Sequence, residues 1–369
     1  MLAKTETTNE RGKFKNGHNF SKKQAKPLAG KEDLEYQHYL LQHVSRTFAL
    51  TIPQLPGKLQ DAVANAYLLC RAADTIEDDP ALSYTDKEML GLGFVELLEN
   101  KREIKPWVKS IVPKLGDTTS EYEKELIENI ERIILISQSF DRKQVKAIRR
   151  CLKIMTEGMI SFQKVDVSKG LQNMEELNRY CYYVAGVVGE MLTELFAAHS
   201  PEMAQNEKAM FRRAASFGQG LQMTNILKDI WDDLDRSFCW LPQDLFNKYN
   251  VDIRQLQKGV QTPAFSDGIQ ELIGIAHGHL LNAFHYTLMV PAKEKGIRKF
   301  CFWAIFMGVL TLRNINNKLD FKSGAEVKIS RKALKRTILT TNMIVKNDFL
   351  LKFYFNRLRK SLPYQEISI

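Results

Sequence analysis

Arg71-Ala-Ala-Asp74-Thr-Ile-Glu77-Asp78-Asp79 closes an apolar run that holds Ala66, Tyr67, Leu68 and Leu69, and Pro80 stops it. Asp74, Glu77 and Asp78 stand at i, i+3 and i+4, so three carboxylates share one face of a predicted helix. The spacing recurs in Asn225-Ile-Leu-Lys228-Asp229-Ile-Trp-Asp232-Asp233-Leu-Asp235-Arg236, through Asp229, Asp232 and Asp233. Like charges on one turn cost a helix about a few tenths of a kcal/mol per pair, and either cluster alone reads as a solvated acidic face. Together, threaded with Ile76, Ile226, Leu227, Ile230 and Trp231 and flanked by cations, they read as a ligand set. Oxygen donors without His or Cys suit hard cations, Mg²⁺ or Mn²⁺. Mg²⁺ keeps waters and binds through one or two carboxylates plus substrate phosphates, so two acidic patches near Arg and Lys imply a diphosphate held through metal bridges. The chemistry implied is loss of diphosphate, with the resulting carbocation sheltered in a dry aromatic cavity.

Outward from these two stretches the pattern is helical. Apolar residues recur at three- and four-residue steps, and Gly and Pro total only 31 in 369 residues. Order is expected from Glu32, where Leu34, Tyr39, Leu40 and Val44 share a face. Helices are expected at 59–78, 84–101, 121–137, 141–163, 174–199 and 203–235, then a looped stretch from Arg236 to about Asp267 holding Pro242 and Pro263. Helices to 289, at 292–317 and at 331–360 complete the chain. The reading is one all-α domain over 32–362, with a disordered basic tail at 1–31 and a short tail at 363–369. No window of roughly 18 residues is free of charge, so no transmembrane helix is expected, and Phe300 to Leu312 reads as a buried helix. Met1 to Lys31 lacks the apolar core of a secretory signal.

Five scattered cysteines without metal spacing read as reduced core residues of a cytoplasmic protein. His38, His43, His199, His277, His279 and His285 likewise read as structural. The net charge of +10 is concentrated at the ends: residues 1–31 carry eight Lys/Arg against two acids, and 318–360 carry twelve against three. Nucleic acid is excluded as the partner, because no binding motif is present and aromatic residues do not alternate with the basic ones. The basic segment 328–360 reads as a solvated helix face or a membrane-surface helix. Gly218-Gln-Gly220 lacks the third glycine and the preceding strand of a dinucleotide fingerprint.

Five matches, with the acidic pair counted as one, resemble the squalene and phytoene synthase family. Besides the paired acidic motifs, they are Ser45-Arg46-Thr47-Phe48-Ala49, Tyr180-Cys181-Tyr182-Tyr183-Val184-Ala185-Gly186, Trp240-Leu241-Pro242-Gln243, and a set running from Asn316-Asn317 through Phe321, Gly324, Val327-Lys328-Ile329 and Arg331-Lys332 to Thr341-Asn342-Met343. The last resembles the segment that squalene synthases use for NADPH and phytoene synthases lack, with Ser330 as an extra residue. Arg236-Ser-Phe-Cys239 stands where the family has a glycine-bearing loop.

The resemblance implies an isoprenoid synthase fold with a large central cavity and joining of two farnesyl diphosphates head to head, through presqualene diphosphate, to squalene. It implies that Asp74, Glu77, Asp78, Asp229 and Asp233, with Asp232 in the same motif, hold Mg²⁺. Arg46, Arg71 and Lys228 would contact phosphate, and Phe48, Tyr67, Gln222 and Asn225 would line the cavity. Tyr180 would assist proton removal, and Asn317, Lys328, Arg331 and Lys332 would meet NADPH. A peripherally membrane-associated monomer is expected, since the product is a water-insoluble hydrocarbon. Two rivals stay open: a phytoene or dehydrosqualene synthase, which omits the hydride, and an inactive lipid-binding relative at a membrane surface.

Overall fold

The computed structural model describes residues 30–45, 47–258 and 262–369; the expected basic tail lies outside them apart from its last two residues. Among the described residues the only strand-like pairing is an isolated bridge between Leu171 and Pro242. Helix α1 (Lys31–Val44) is followed by α2 (Gly57–Asp78), α3 (Tyr84–Leu98), α4 (Ile104–Ile111), α5 (Glu121–Glu128), α6 (Ile130–Gln138) and α7 (Arg142–Gln163). Then come α8 (Met174–Cys181), one π-helical turn (Tyr182–Gly186), α9 (Val187–His199) and α10 (Pro201–Leu234). Leaving aside the short helices Phe48–Thr51, Gln243–Asn247 and Gly324–Val327, the last four are α11 (Pro263–Leu288), α12 (Lys295–Asn317), α13 (Arg331–Ile344) and α14 (Asp348–Arg359).

The expected helices are present, and their ends follow local chemistry. Ser83, Ser120 and Asp141 each accept from a backbone N–H of the first turn of α3, α5 and α7, satisfying donors the helix cannot. Pro263, expected in a loop, is the first residue of α11, where a missing N–H costs nothing, with Thr262 as cap. The helix expected over 121–137 divides at Asn129, and that over 331–360 divides at Val345–Asn347, where Asn347 caps α14 by accepting from the Leu350 N–H. Helix α4 is absent from the sequence expectation; it buries Trp107 and Ile111, and Pro106 sits in its first turn.

Helix α10 runs through the centre, packed on α9 and α11, with α12 closing one side. The contact is unusually close. A Cβ on Gly218 would lie 1.9 Å from the Ala185 carbonyl oxygen, and one on Gly189 would lie 2.0 Å from that of Ala214, so only glycine allows these backbones to meet. Gly218 is therefore a helix-crossing residue. All five cysteines are free and buried, as expected. The run Met174–His199 is long and apolar enough to cross a membrane by length and composition, but half of its most apolar window is buried. On it, Glu190 and Glu194 pair with Arg150 at 2.8 and 3.1 Å.

Residues 363–369 lie along α11. The Gln365 N–H donates to the Gly274 carbonyl, Asn282 Nδ2 donates to that of Ile367, and His277 Nδ1 sits 2.6 Å from the Pro363 oxygen. Beneath them His279 is buried between α10 and α11, 3.0 Å from Ser216 Oγ. Burial alone pushes its pKa down to about 4, so the ring is held neutral in the fold. The stability this contributes is complete above the ordinary value of 6.5 and is lost as pH falls from there toward 4. Between pH 7 and 4.5, His279→Asn is expected to lose less stability than the parent protein, the difference approaching about 3 kcal/mol. Denaturant titrations at the two pH values measure it; equal losses would overturn the assignment.

Candidate active site

Helices α2 and α10 each bring two members of their acidic triplets to one chamber of about 600 Å³. Glu77 and Asp78 line it from α2; Asp229 and Asp233 line it from α10, with Arg71, Arg236 and Tyr180 completing the wall. A second, mostly apolar chamber of about 230 Å³ shares Gln222 and Asn225 with the first. Asp74 belongs to that second lining, with Phe48, Tyr67, Phe217 and Leu221, so it stands where the polar and apolar spaces meet. The rings of Phe48 and Tyr67 are 5.0 Å apart.

Burial and mutual repulsion oppose ionisation of these acids. Burial, then the neighbouring Asp78 carboxylate, pushes Asp74 up to about 7 against the pull of Arg71. Burial with Asp78 and Asp74 pushes Glu77 up to about 8. Asp233 rises to about 6, mainly by burial, with Asp229 and Asp78 adding repulsion that Arg236 offsets. Asp78 thus acts on a carboxylate of the other motif, the signature of two triplets that face each other. Among the described residues no three His, Cys, Asp or Glu side chains converge on a point that could hold a metal by themselves. An ion placed here completes its shell with water and anionic ligand oxygens, as Mg²⁺ commonly does. The oxygen-only donor set, crowded enough that its members repel one another, fits that ion.

Arg71 is held by Glu123, which answers the Ser120 cap from within the first turn of α5, while its Nε is buried without a partner. Lys87 donates to the Glu77 carbonyl and, at 3.4 Å, to Gln163 Oε1, placing a cation behind the first triplet. Neither Glu123 nor Lys87 is a sequence candidate. The Ser120-x-x-Glu123 box does signal a helix start, but its meeting with Arg71 is long-range.

Asp79, adjacent to the triplet, serves structure: it accepts from the N–H groups of Ala81 and Gly116 and from Thr119. Asp232 accepts from the Gly324 N–H at 3.0 Å and is absent from both chamber linings, unlike its triplet partners. Lys228 pairs with Asp229 at 2.9 Å and is also outside the linings. Arg46 lies outside the described residues.

Tyr180 is buried at the chamber wall, its ring stacked on Trp240 with centroids 3.8 Å apart and planes 11° apart; Trp240 in turn stacks on Phe238. Burial and the nearby Glu77 and Asp78 charges hold the phenol well above its ordinary range. Trp240 is placed by backbone pairing: the Leu171 N–H donates to the Leu241 carbonyl, and that of Gln243 to Leu171. In the turn before it Ser237 adopts a left-handed φ of 63°, doing with a side chain what a glycine would do freely. Arg236, beside it, bonds to Asp233.

The segment from Asn316 to Lys332 packs beside the second triplet. A Cβ on Gly324 would lie 2.6 Å from Asp229 Oδ1, so the backbone there closes directly on the acidic helix. Asn314 Nδ2 donates to the Val327 and Lys328 carbonyls and ties the segment down. Ser330, the extra residue, caps α13 by accepting from the Ala333 N–H. Asn317, Lys328, Arg331 and Lys332 are exposed, and none of the three cations pairs with an acid among the described residues. Unpaired cations at the start of a 14-residue helix suit phosphate.

Comparison with known proteins agrees with this geometry. The squalene/phytoene synthase family model matches residues 41–333. The chain is 30% identical over 312 residues to squalene synthase ERG9 of Candida albicans, covering 83% of this chain and 66% of that one. It is 28% identical to squalene synthase BSS of Botryococcus braunii (84% and 65%) and 28% identical to the squalene synthase of Dictyostelium discoideum (94% and 79%). It thus spans slightly under two thirds of the Candida and Botryococcus proteins. In fold it is similar to TcSQS solved with the ligand E5700 (TM-score 0.71, 23% identity, 91% and 94% covered) and to a dehydrosqualene synthase (TM-score 0.62, 18% identity, 85% and 97% covered).

Proposed function

The chain belongs to the squalene/phytoene synthase family, and from that premise we propose that it condenses two farnesyl diphosphates head to head, through presqualene diphosphate, to squalene, with reduction by NADPH. The observation that carries this is the meeting of two spaces: a chamber walled by two carboxylates from each acidic motif shares Gln222 and Asn225 with an apolar chamber lined by aromatic rings, where Asp74 stands.

Glu77, Asp78, Asp229 and Asp233, with Asp74 at the junction, are the residues that would hold Mg²⁺. When bound, the metal neutralises the charge that builds on the departing diphosphate. Arg71 and Arg236 contribute fixed positive charge to the same chamber, and Phe48, Tyr67 and Leu221 exclude water from the prenyl chains. As one substrate ionises and the other's double bond captures the cation, the stacked rings of Tyr180, Trp240 and Phe238 would form an aromatic wall beside the migrating charge. The neutral phenol of Tyr180 would assist removal of the proton lost when the cyclopropane closes. Lys328, Arg331 and Lys332, with Asn317 nearby, would hold NADPH, which supplies hydride when bound.

Incubation with farnesyl diphosphate, Mg²⁺ and NADPH is expected to yield squalene, with yield dependent on NADPH. Absence of any thirty-carbon hydrocarbon, or a product indifferent to NADPH, would overturn the reading.

A further inference from the structure

Away from both chambers, a cleft of about 430 Å³ lies between α10 and α11 and is walled on its third side by the tail. Arg212 and Arg213 line it from α10, Asn282 and His285 from α11, and Glu366 and Ile367 from the tail. It shares no lining residue with either chamber. Arg213 precedes Asp229 by sixteen residues of the same helix, about 24 Å at 1.5 Å per residue.

The cleft gathers positive charge that no acid matches. Among the described residues neither Arg212 nor Arg213 forms an ion pair, and Arg213 Nε is buried with no hydrogen-bond partner. A solvated surface arginine does not account for that nitrogen, which has left water and donates to nothing. Burial first, then the charges of Arg213, Lys352 and Arg359, holds the His285 ring below its ordinary value, so three cations act on one side chain of the lining. Arg359 also lies over the Tyr364 ring, 5.5 Å from its centroid, at the edge of the cleft. The one acidic side chain of the lining, Glu366, pairs with none of these cations among the described residues. Like charges held together in this way repel, and a bound polyanion removes the repulsion.

We infer that this cleft is a separate diphosphate site, which takes inorganic diphosphate or the diphosphate head of an organic ester. Charge and size select the ligand. A carboxylate brings a single negative charge, and one phosphate leaves most of the space empty. A diphosphate presents several oxygens to two guanidinium forks on α10, with the His285 ring across the cleft on α11. The tail is held to α11 by few bonds, through Pro363, Gln365 and Ile367, and it forms one wall of the site. Occupancy therefore tightens the tail. The inference stands apart from the catalytic reading, because it uses no residue of the chambers or of the segment from Asn316 to Lys332.

Hydrogen exchange of the full chain, read by mass spectrometry in Mg²⁺-free buffer, tests this. Inorganic diphosphate is expected to slow exchange of the tail amides, and sodium chloride at matched ionic strength is expected to leave them unchanged. Farnesyl diphosphate as a second probe distinguishes the sources, and tail protection by either ion supports the site. Arg212→Glu, at an exposed position, and separately Arg213→Gln should each raise the diphosphate concentration for half protection by about tenfold or more. Circular dichroism and turnover without added diphosphate should not change in the Arg212 variant. Tail exchange indifferent to both diphosphates would overturn the inference. So would protection that sodium chloride reproduces, protection confined to the helix ends that carry the acidic triplets, or protection that neither substitution weakens.

Discussion

Asp74→Asn is expected to lower kcat/KM by about 10³-fold, ~4 kcal/mol of transition-state stabilisation, without weakening the fold. Asp74 stands at the junction of the polar and apolar chambers, and its carboxylate is pushed up to about 7 by burial and by Asp78. A group whose folded-state pKa is raised opposes folding as it ionises, so its cost appears as pH climbs from about 4 through 7. The amide keeps the shape and removes that charge. In metal-free buffer the variant should therefore unfold at a higher temperature than the parent at pH 8, with the gap closing near pH 4. Turnover assays and thermal scans at the two pH values measure both halves. A variant retaining activity within a few-fold would remove the first triplet from the chemistry; one that is inactive and also less stable at pH 8 would show a merely structural carboxylate.

Lys328→Ala combined with Arg331→Ala is expected to divide the reaction at its midpoint. Each charge-assisted contact to a phosphate contributes about 1.5 to 3 kcal/mol, so losing two at subsaturating NADPH should cut squalene formation by about 10²-fold or more. Neither residue lines the chambers, so consumption of farnesyl diphosphate should continue and presqualene diphosphate should accumulate. Product analysis by mass spectrometry decides it. Squalene output unchanged by the double substitution would detach this segment from the reductive step. A hydrocarbon formed by proton loss in the parent protein would favour the dehydrosqualene rival.

The first test rests on a residue that helical spacing singles out and the second on residues that only the family resemblance points to, and the structure gives even the evenly spaced acids unequal weight. Asp229, Asp232 and Asp233 are indistinguishable in the sequence, spaced like Asp74, Glu77 and Asp78. Only the fold turns Asp232 toward Gly324 while its neighbours face the chamber. Ser330 looks like an interruption in a basic run; in three dimensions it starts α13. Trp240 and Tyr180 are sixty residues apart in the chain, and a short backbone pairing between their flanking loops stacks their rings.

The sequence by itself determined what local rules can determine: a helical chain, because apolar residues recur at helical steps and Pro or capping residues mark most ends, and an oxygen-ligand chemistry, because two triplets share one spacing. What only the tertiary structure decided is which charges meet. Glu123 reaches Arg71 across fifty-two residues, Lys87 stands behind Glu77, and Asp78 raises the pKa of Asp233 on the opposite helix. Periodicity encodes which face of a helix is buried, but the partner of a buried charge depends on how helices cross. Glycines at 189 and 218, by letting backbones nearly touch, fix one such crossing, that of α9 and the π turn before it on α10.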